Sequence, residues 1–280
     1  MQIKRVLAIV VLTFFALLVC CPLHVLLNGA FMSKAELNQY LEPVFNNSGE
    51  ETYASWPLLP QAFTLSPVIK LLWDSPGFYT LFWNACLLSF PILLGQILVA
   101  VPAAWALTQG HFFGKETLNL LYVALMLMPF QVLMVPSYIA LDTLGLMGSR
   151  WAVILPAVFS TLPVFILTAS FAAVRKEYLE AARLDGANQW QIFWHLGFKG
   201  VLPAIVAVLA LNFIESWNAI EQPLIFLKNQ EQWPISLYMQ AIAQENMSVA
   251  CVAAIIFSLP ALLIFYWAKP YLKSAIEVAI

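Results

Sequence analysis

The chain has 280 residues, of which 62% are hydrophobic and 10% charged, whereas a soluble globular domain carries roughly 45–50% apolar and about 25% charged residues. Too little polar surface remains to clothe a water-soluble fold, and a mean hydropathy of +0.82 places the chain in a bilayer. The 13 basic and 15 acidic residues nearly cancel, which disfavours nucleic-acid binding, where a cationic surface supplies most of the affinity.

Lys4-Arg5 followed by the apolar run to Val19 imitates a secretory signal, but no small-residue cleavage site follows, and Val19 before Cys20 spoils a lipoprotein-type site. The segment reads as an uncleaved first span. Cys20, Cys21, Cys86 and Cys251 all lie within apolar runs and act as small hydrophobes rather than a disulfide framework.

Six apolar stretches follow the chain: Val6–Leu27, Tyr79–Thr108, Leu118–Ala140, Trp151–Ala173, Val201–Ile220 and Val249–Ala268. Each is near or above the roughly 20 residues that a bilayer demands. Backbone groups in hydrocarbon must be paired within their own segment, so the spacing predicts six helices and no strands. The expected division is a first transmembrane helix over 1–27, an extracytoplasmic loop over 28–77, a five-helix core over 78–273 and a cytoplasmic tail over 274–280. Prolines 91, 102, 129, 136, 156, 163, 203 and 260 fall in or at the edge of spans, and each interior one removes a helical hydrogen bond.

With the N-terminus inside, Lys4, Arg5, Lys115, Arg175, Lys176, Arg183, Lys199, Lys269 and Lys273 face the cytoplasm, and Lys34, Lys70, Arg150 and Lys228 face outward. Nine against four satisfies the positive-inside tendency and puts both termini in the cytoplasm. The outer loop has turn chemistry at Asn46-Asn47-Ser48-Gly49. Two readings fit it: a small cap over the spans, or a solvated loop with one surface helix around Lys34–Leu41.

The stretch from Arg175 to Pro203 is the long segment of mixed charge on the predicted cytoplasmic side. Residues 175–184 are strong helix formers with Lys176/Glu180 and Glu180/Arg183 at contact spacing. Asp185-Gly186 supplies a stop with a left-handed cap. Asn188 with Gln191 three residues on predicts a capping box that opens a second short helix, striped by Ile192, Phe193 and Leu196. Such an elbow, with Ala181 and Ala182 allowing close approach, suits insertion into a groove on a soluble partner; an amphipathic connector lying on the membrane fits equally well.

Glu180-Ala181-Ala182, Gly186 and the later Pro203 resemble the EAA loop of binding-protein-dependent ABC importer permeases. Met128-Pro129-Phe130-Gln131-Val132, Leu144-Gly145-Leu146, Trp151 to Pro156 and Phe213 with Trp217-Asn218 resemble the MalG-like carbohydrate permease branch, and the likeness runs from about Phe63 to Lys273. The resemblance implies an all-α fold of six transmembrane helices with a cytoplasmic coupling helix, the type I ABC importer permease fold. It implies that Glu180, Ala181, Ala182, Asp185, Gly186 and Ala187 couple to an ATPase subunit dimer that holds ATP and Mg, with a second permease subunit and an extracytoplasmic solute-binding protein as further partners. One departure stands out: Lys199 occupies the place of a proline common in the family, which predicts a less kinked junction between elbow and fifth span.

Ionisable groups inside a span are costly and default to functional candidates. Glu215 near the middle of the fifth span, Glu221 near its outer end, and Trp217 and Asn218 between them are candidates for the substrate pathway, with residues 214, 217, 218 and 221 predicted on one helix face. Gln131 is a further candidate. Asn84, Gln131 and Asn212 also fit as hydrogen-bonding glue between helices. His24, His111 and His195 have no metal-ligand spacing, and no GxxxxGK[ST] motif occurs, so neither a metal, an ATP-binding loop nor a catalytic group is expected on this chain. The resulting expectation is a sugar-importing permease subunit. The alternatives are an ion-coupled secondary transporter, or an ABC permease for a glycerophosphodiester or polyamine.

Overall fold

The computed structural model describes residues 2–45 and 57–279, and among these every regular element is helical. The turn at Asn46-Asn47-Ser48-Gly49 lies outside the described residues. Contacts divide the chain into two units, Met1–Phe82 with Tyr238–Leu259, and Trp83–Leu237 with Pro260–Ile280.

In the first unit α1 (Gln2–Ala30) is a continuous apolar helix with Pro22 inside it. Its side chains from Ile9 to Leu27 are largely exposed, as suits a lipid-facing span. α2 runs Lys34–Phe45, longer than the surface helix expected from sequence, and α3 runs Ser66–Leu72. The connection packs back on itself. Asn28 donates through Nδ2 to the Leu58 carbonyl at 2.8 Å, Gln61 N–H donates to Glu36 Oε1 at 2.7 Å, and Phe31 stacks on Phe63 at 4.4 Å between centroids. Met32 and Leu37 are fully buried beneath it. This part of the segment is a small folded layer and not a solvated loop.

The long helix α4 (Pro76–Gln109) continues through Pro91 and Pro102 without interruption. The expected third span, Leu118–Ala140, is two helices instead, α5 (Lys115–Met126) and α6 (Phe130–Thr143), whose axes differ by 107°. The cause is local. Pro129 has no N–H to give and takes an extended conformation, ψ 145°, while Met128 N–H falls back to the Leu125 carbonyl in a tight last turn. At about 1.5 Å per residue neither half alone reaches the roughly 30 Å of a bilayer core.

The expected fourth span is also interrupted. α7 (Trp151–Val158) and α8 (Thr161–Ala172) are separated at Phe159-Ser160, although together they form one span of 22 residues. Beyond α9 (Lys176–Leu184) and α10 (Gln189–Ile192), a π-helical turn at Phe193–Phe198 leads directly into α11 (Lys199–Trp217). The fifth span is therefore a 29-residue helix, Gln189–Trp217, that absorbs the second half of the elbow. α11 ends at Trp217, three residues before the end expected from sequence. Lys199 uses its N–H, which a proline would lack, to bond the Leu196 carbonyl at this junction.

α12 (Glu221–Phe226), α13 (Ile235–Glu245) and α14 (Met247–Ala279) complete the chain. Among the described residues five helices are long and apolar enough to cross a membrane, and the bent α5–α6 pair makes a sixth if its halves share one span. Within the second unit α8 packs on α5 and α11, and α7 packs on α12. One core cluster gathers Ala104, Leu167, Phe171, Phe193, Ile205 and Val208; another gathers Leu88, Ile92, Val153, Ile154 and Phe226.

Candidate functional site

Two regions of the second unit carry organised polar chemistry: the elbow around Gly186, and a cavity where α4, the α5–α6 bend, the α7–α8 interruption and the end of α11 meet.

The elbow is built by short-range hydrogen bonds. Ala187 N–H reaches the Ala182 carbonyl at 2.9 Å and Gly186 N–H the Arg183 carbonyl at 3.1 Å, the paired pattern of a Schellman cap. Gly186 sits at φ 84°, where an L side chain is strained. Two residues on, Gln191 N–H donates to Asn188 Oδ1 and Asn188 N–H donates to Gln191 Oε1, both at 2.8 Å, closing a capping box. Leu179, 2% exposed, pins α9 inward. Its opposite face offers Tyr178, Glu180, Ala181 and Leu184 to the surroundings, and Leu184 is 89% exposed. Hollows flank the elbow on both sides, one lined by Ala182, Asp185, Gly186, Ala187 and Gln191, the other by Trp105, Gln109, His111, Arg183 and Gln189.

The elbow is seated on aromatic packing. Trp105 of α4 lies 5.4 Å from Phe171 and 5.6 Å from Phe193 between centroids, and Phe193 lies 5.3 Å from Trp194. Two helices, α4 and α8, and the π-helical turn thus share one contact centre.

The cavity encloses about 540 Å³. Its walls are mostly apolar, with Leu88, Ile92, Met126, Phe130 and Phe159 among them, and the polar lining includes Gln96, Ser160, Thr161, Asn212, Glu215 and Ser216. Gln96 donates through Nε2 to the Ala157 carbonyl at 3.0 Å and to Asn212 Oδ1 at 3.3 Å, and Asn212 donates to the Val208 carbonyl at 2.8 Å. Gln96 Oε1 is buried with no partner among the described residues. The sequence reading passed over Gln96; the signal was available, since it is the sole amide between Asn84 and Gln109 in an otherwise apolar helix.

The residues singled out from sequence fall into three groups. Glu215 is exposed and lines the cavity, but it stands two residues from the end of α11 and not near the middle of a span. Gln131 and Glu221 come together: Gln131 Nε2 donates to Glu221 Oε1 at 3.3 Å, joining the first turns of α6 and α12. Trp217 and Asn218 do not share a presenting face with Glu221, because the helix has ended. Trp217 is 1% exposed and stacks on Phe213 at 5.2 Å, so its indole is packing material. Asn218 is exposed and turns its amide back onto the Ile214 carbonyl at 2.8 Å, closing the helix end. Asn84, by contrast, is glue: it donates to the carbonyls of Glu231 at 2.6 Å and Trp233 at 3.1 Å and accepts from Arg150 Nη2 at 2.9 Å. Among the described residues no group of acidic, His or Cys side chains could hold a metal ion.

Comparison with known proteins adds relatives and a fold. The chain is 24% identical over 222 residues to the arabinooligosaccharides transport system permease protein AraQ of Halalkalibacterium halodurans, covering 78% of this chain and 80% of the relative. It is 24% identical over 188 residues to the lactose transport system permease protein LacG of Rhizobium radiobacter, covering 66% and 69%. A chain of the bacterial ABC transporter involved in the import of the acidic polysaccharide alginate superposes with a TM-score of 0.81 at 20% identity, over 96% of both chains. The fold is thus that of an ABC importer permease. The family model for the binding-protein-dependent transport system inner membrane component matches residues 96–278, so the chain belongs to that family, and is a multi-pass inner-membrane transport subunit rather than an enzyme.

Proposed function

We propose that this chain is one permease subunit of an ATP-driven importer that moves a carbohydrate by alternating access. Relatives named as transport permeases for arabinooligosaccharides, lactose and diacetylchitobiose share the saccharide class, and that supports the same cargo class here. Partners under this reading are a second permease subunit, an ATPase dimer that holds ATP and Mg, and an extracytoplasmic solute-binding protein. The excess of Lys and Arg in the segments assigned inside supports a cytoplasmic location for both termini and for the elbow.

The observation that carries the mechanism is the elbow itself. Glu180, Ala181, Ala182, Asp185, Gly186 and Ala187 form a doubly capped, outward-facing knuckle whose second half runs unbroken into the fifth span. Docked in the ATPase, it transmits nucleotide-driven closure to that span; ATP acts by binding one of the two states more tightly. Glu215, Gln131, Glu221 and Asn218 are assigned to the cargo pathway, and Trp217 to its supporting wall.

The test is reconstitution of the complete importer with its binding protein and measurement of ATPase stimulation and uptake across a saccharide panel. A saccharide that stimulates both, together with loss of both in Glu180→Lys at normal membrane insertion, is the expected result. Retention of full stimulation by that variant defeats the coupling assignment, and stimulation solely by a phosphodiester or polyamine defeats the carbohydrate assignment.

A further inference from the structure

The folded layer of the first unit is held at a definite depth. The apolar run of α1 over 6–27 is about 33 Å long at about 1.5 Å per residue, enough for the roughly 30 Å of a hydrocarbon core. Asn28 therefore stands where hydrocarbon gives way to headgroups. It ties the chain to that level by donating to the Leu58 carbonyl at 2.8 Å, and three residues on the Phe31 carbonyl accepts from Thr64 N–H at 3.0 Å. At the far end Tyr79, in the first turn of α4, donates its hydroxyl to the Leu72 carbonyl at 3.0 Å, and Ser75 Oγ donates to the Lys70 carbonyl at 3.0 Å. The stretch over 58–73 is thus bonded at one end to the last turn of a membrane helix and at the other to the first turn of the next.

What this stretch shows to its surroundings is apolar. Leu58, Leu59, Phe63 and Trp73 are 69–79% exposed, and Ile69 is more than half exposed, while Met32, Leu37 and Leu71 are buried. α2 has the opposite character, exposing Lys34, Asn38 and Gln39. Large apolar side chains left bare in such number mark a contact surface, and the depth of these identifies what they touch. Trp73 and Tyr79 are of the residue types that settle at headgroup level, and the exposed Lys70 and Asp74 find partners in the phosphate and ammonium groups of a phospholipid. We propose that residues 58–73 are a membrane-interface anchor: their apolar side chains enter the acyl boundary of the leaflet at which α1 ends, the outer one under the charge assignment above, and lipid rather than another polypeptide covers them.

The test places nitroxide labels on the assembled transporter in nanodiscs of phosphatidylethanolamine and phosphatidylglycerol, through Leu59→Cys, Trp73→Cys and, as the water-facing reference, Asn38→Cys, each in a background with the four native cysteines changed to alanine. Dissolved oxygen, which partitions into lipid, should relax the labels at 59 and 73, and a water-soluble nickel chelate should lose its effect there while keeping it at 38. Equal nickel relaxation at 59 and 38 means that the stretch faces water and overturns the proposal. Shielding of 59 and 73 from both reagents, or shielding that arises only when the solute-binding protein is added, means that protein covers the stretch and overturns it too. A second measurement avoids the cysteine changes: p-benzoylphenylalanine in place of Leu59 in the otherwise unaltered chain, illuminated in the same nanodiscs, should yield phospholipid adducts by mass spectrometry. Cross-links to another subunit without lipid adducts, or no lipid adduct at all, defeat the assignment.

Discussion

Gly197 and Trp105 approach so closely that a Cβ added at Gly197 would lie 2.6 Å from Cζ3 of the indole, inside any real carbon contact. The π-helical turn places a residue without a side chain where the junction between elbow and fifth span meets α4. Gly197→Ala should force the indole aside at a cost of about 1–3 kcal/mol, read as a fall in detergent thermal stability, and Gly197→Leu should abolish assembly. Unchanged stability in Gly197→Ala would show that Trp105 moves freely and that the contact is not tight.

Gly186 presents the opposite case. Nothing lies within 4 Å of a Cβ built there, yet its φ is 84°. Gly186→Ala should therefore cost about 1 kcal/mol through backbone strain alone, and Gly186→Asn, which tolerates the left-handed region, should recover most of it. Under the coupling proposal, both the loss and the rescue appear in binding-protein-stimulated ATPase activity. Equal behaviour of the two variants would remove backbone conformation as the cause.

The capping box makes a reciprocal prediction. Asn188→Ala removes the acceptor for Gln191 N–H and should cost about 1 kcal/mol, whereas Asn188→Asp or Ser should be nearly neutral. Hydrogen exchange at the Gln191 amide is the local readout, and protection there should fall in the alanine variant alone.

Asn84 anchors three partners at once, the carbonyls of Glu231 and Trp233 and the guanidinium of Arg150. Asn84→Leu keeps the volume but strands all three groups, each at about 1–3 kcal/mol if water does not enter. Faster proteolysis between Lys228 and Trp233, with α4 still inserted, is the expected outcome. A digestion pattern like that of the unaltered chain would mean that the segment is held by something else.

Trp217→Ala tests the assignment of that indole to packing. Removing a side chain 1% exposed and stacked on Phe213 should destabilise by about 3–5 kcal/mol, and Trp217→Phe should restore most stability together with transport. If Trp217→Phe were stable but failed to transport, the indole would belong to the cargo path after all.

What could be read from residues alone follows the range of the forces involved. The apolar segments were legible because bilayer thickness sets their length, and the elbow was legible because its caps are made by residues three to five apart, such as Asn188 with Gln191 and Ala182 with Ala187. The bend at Pro129 was not. Pro91 and Pro102 send the same local signal, but α4 runs through both of them. Nor could the partners of Asn84 and Gln96 be named, since Glu231 and Ala157 lie 147 and 61 residues away. The single face expected for Trp217, Asn218 and Glu221 came from projecting a helix past the point where α11 stops; Asn218, at φ −92° and ψ 8°, has already left the helix.

The unbroken passage from Gln189 to Trp217 has a mechanical meaning. Twenty-nine residues of helix make a rod about 40 Å long, with the capped knuckle at one tip and the Glu215 carboxylate at the other. The π-helical turn at Phe193–Phe198 and Pro203 lie within it without ending the helix, and a pivot of about 5° at mid-length swings each tip by about 2 Å in opposite senses. A stroke of that size, delivered at one end, is felt at the other as the same motion reversed.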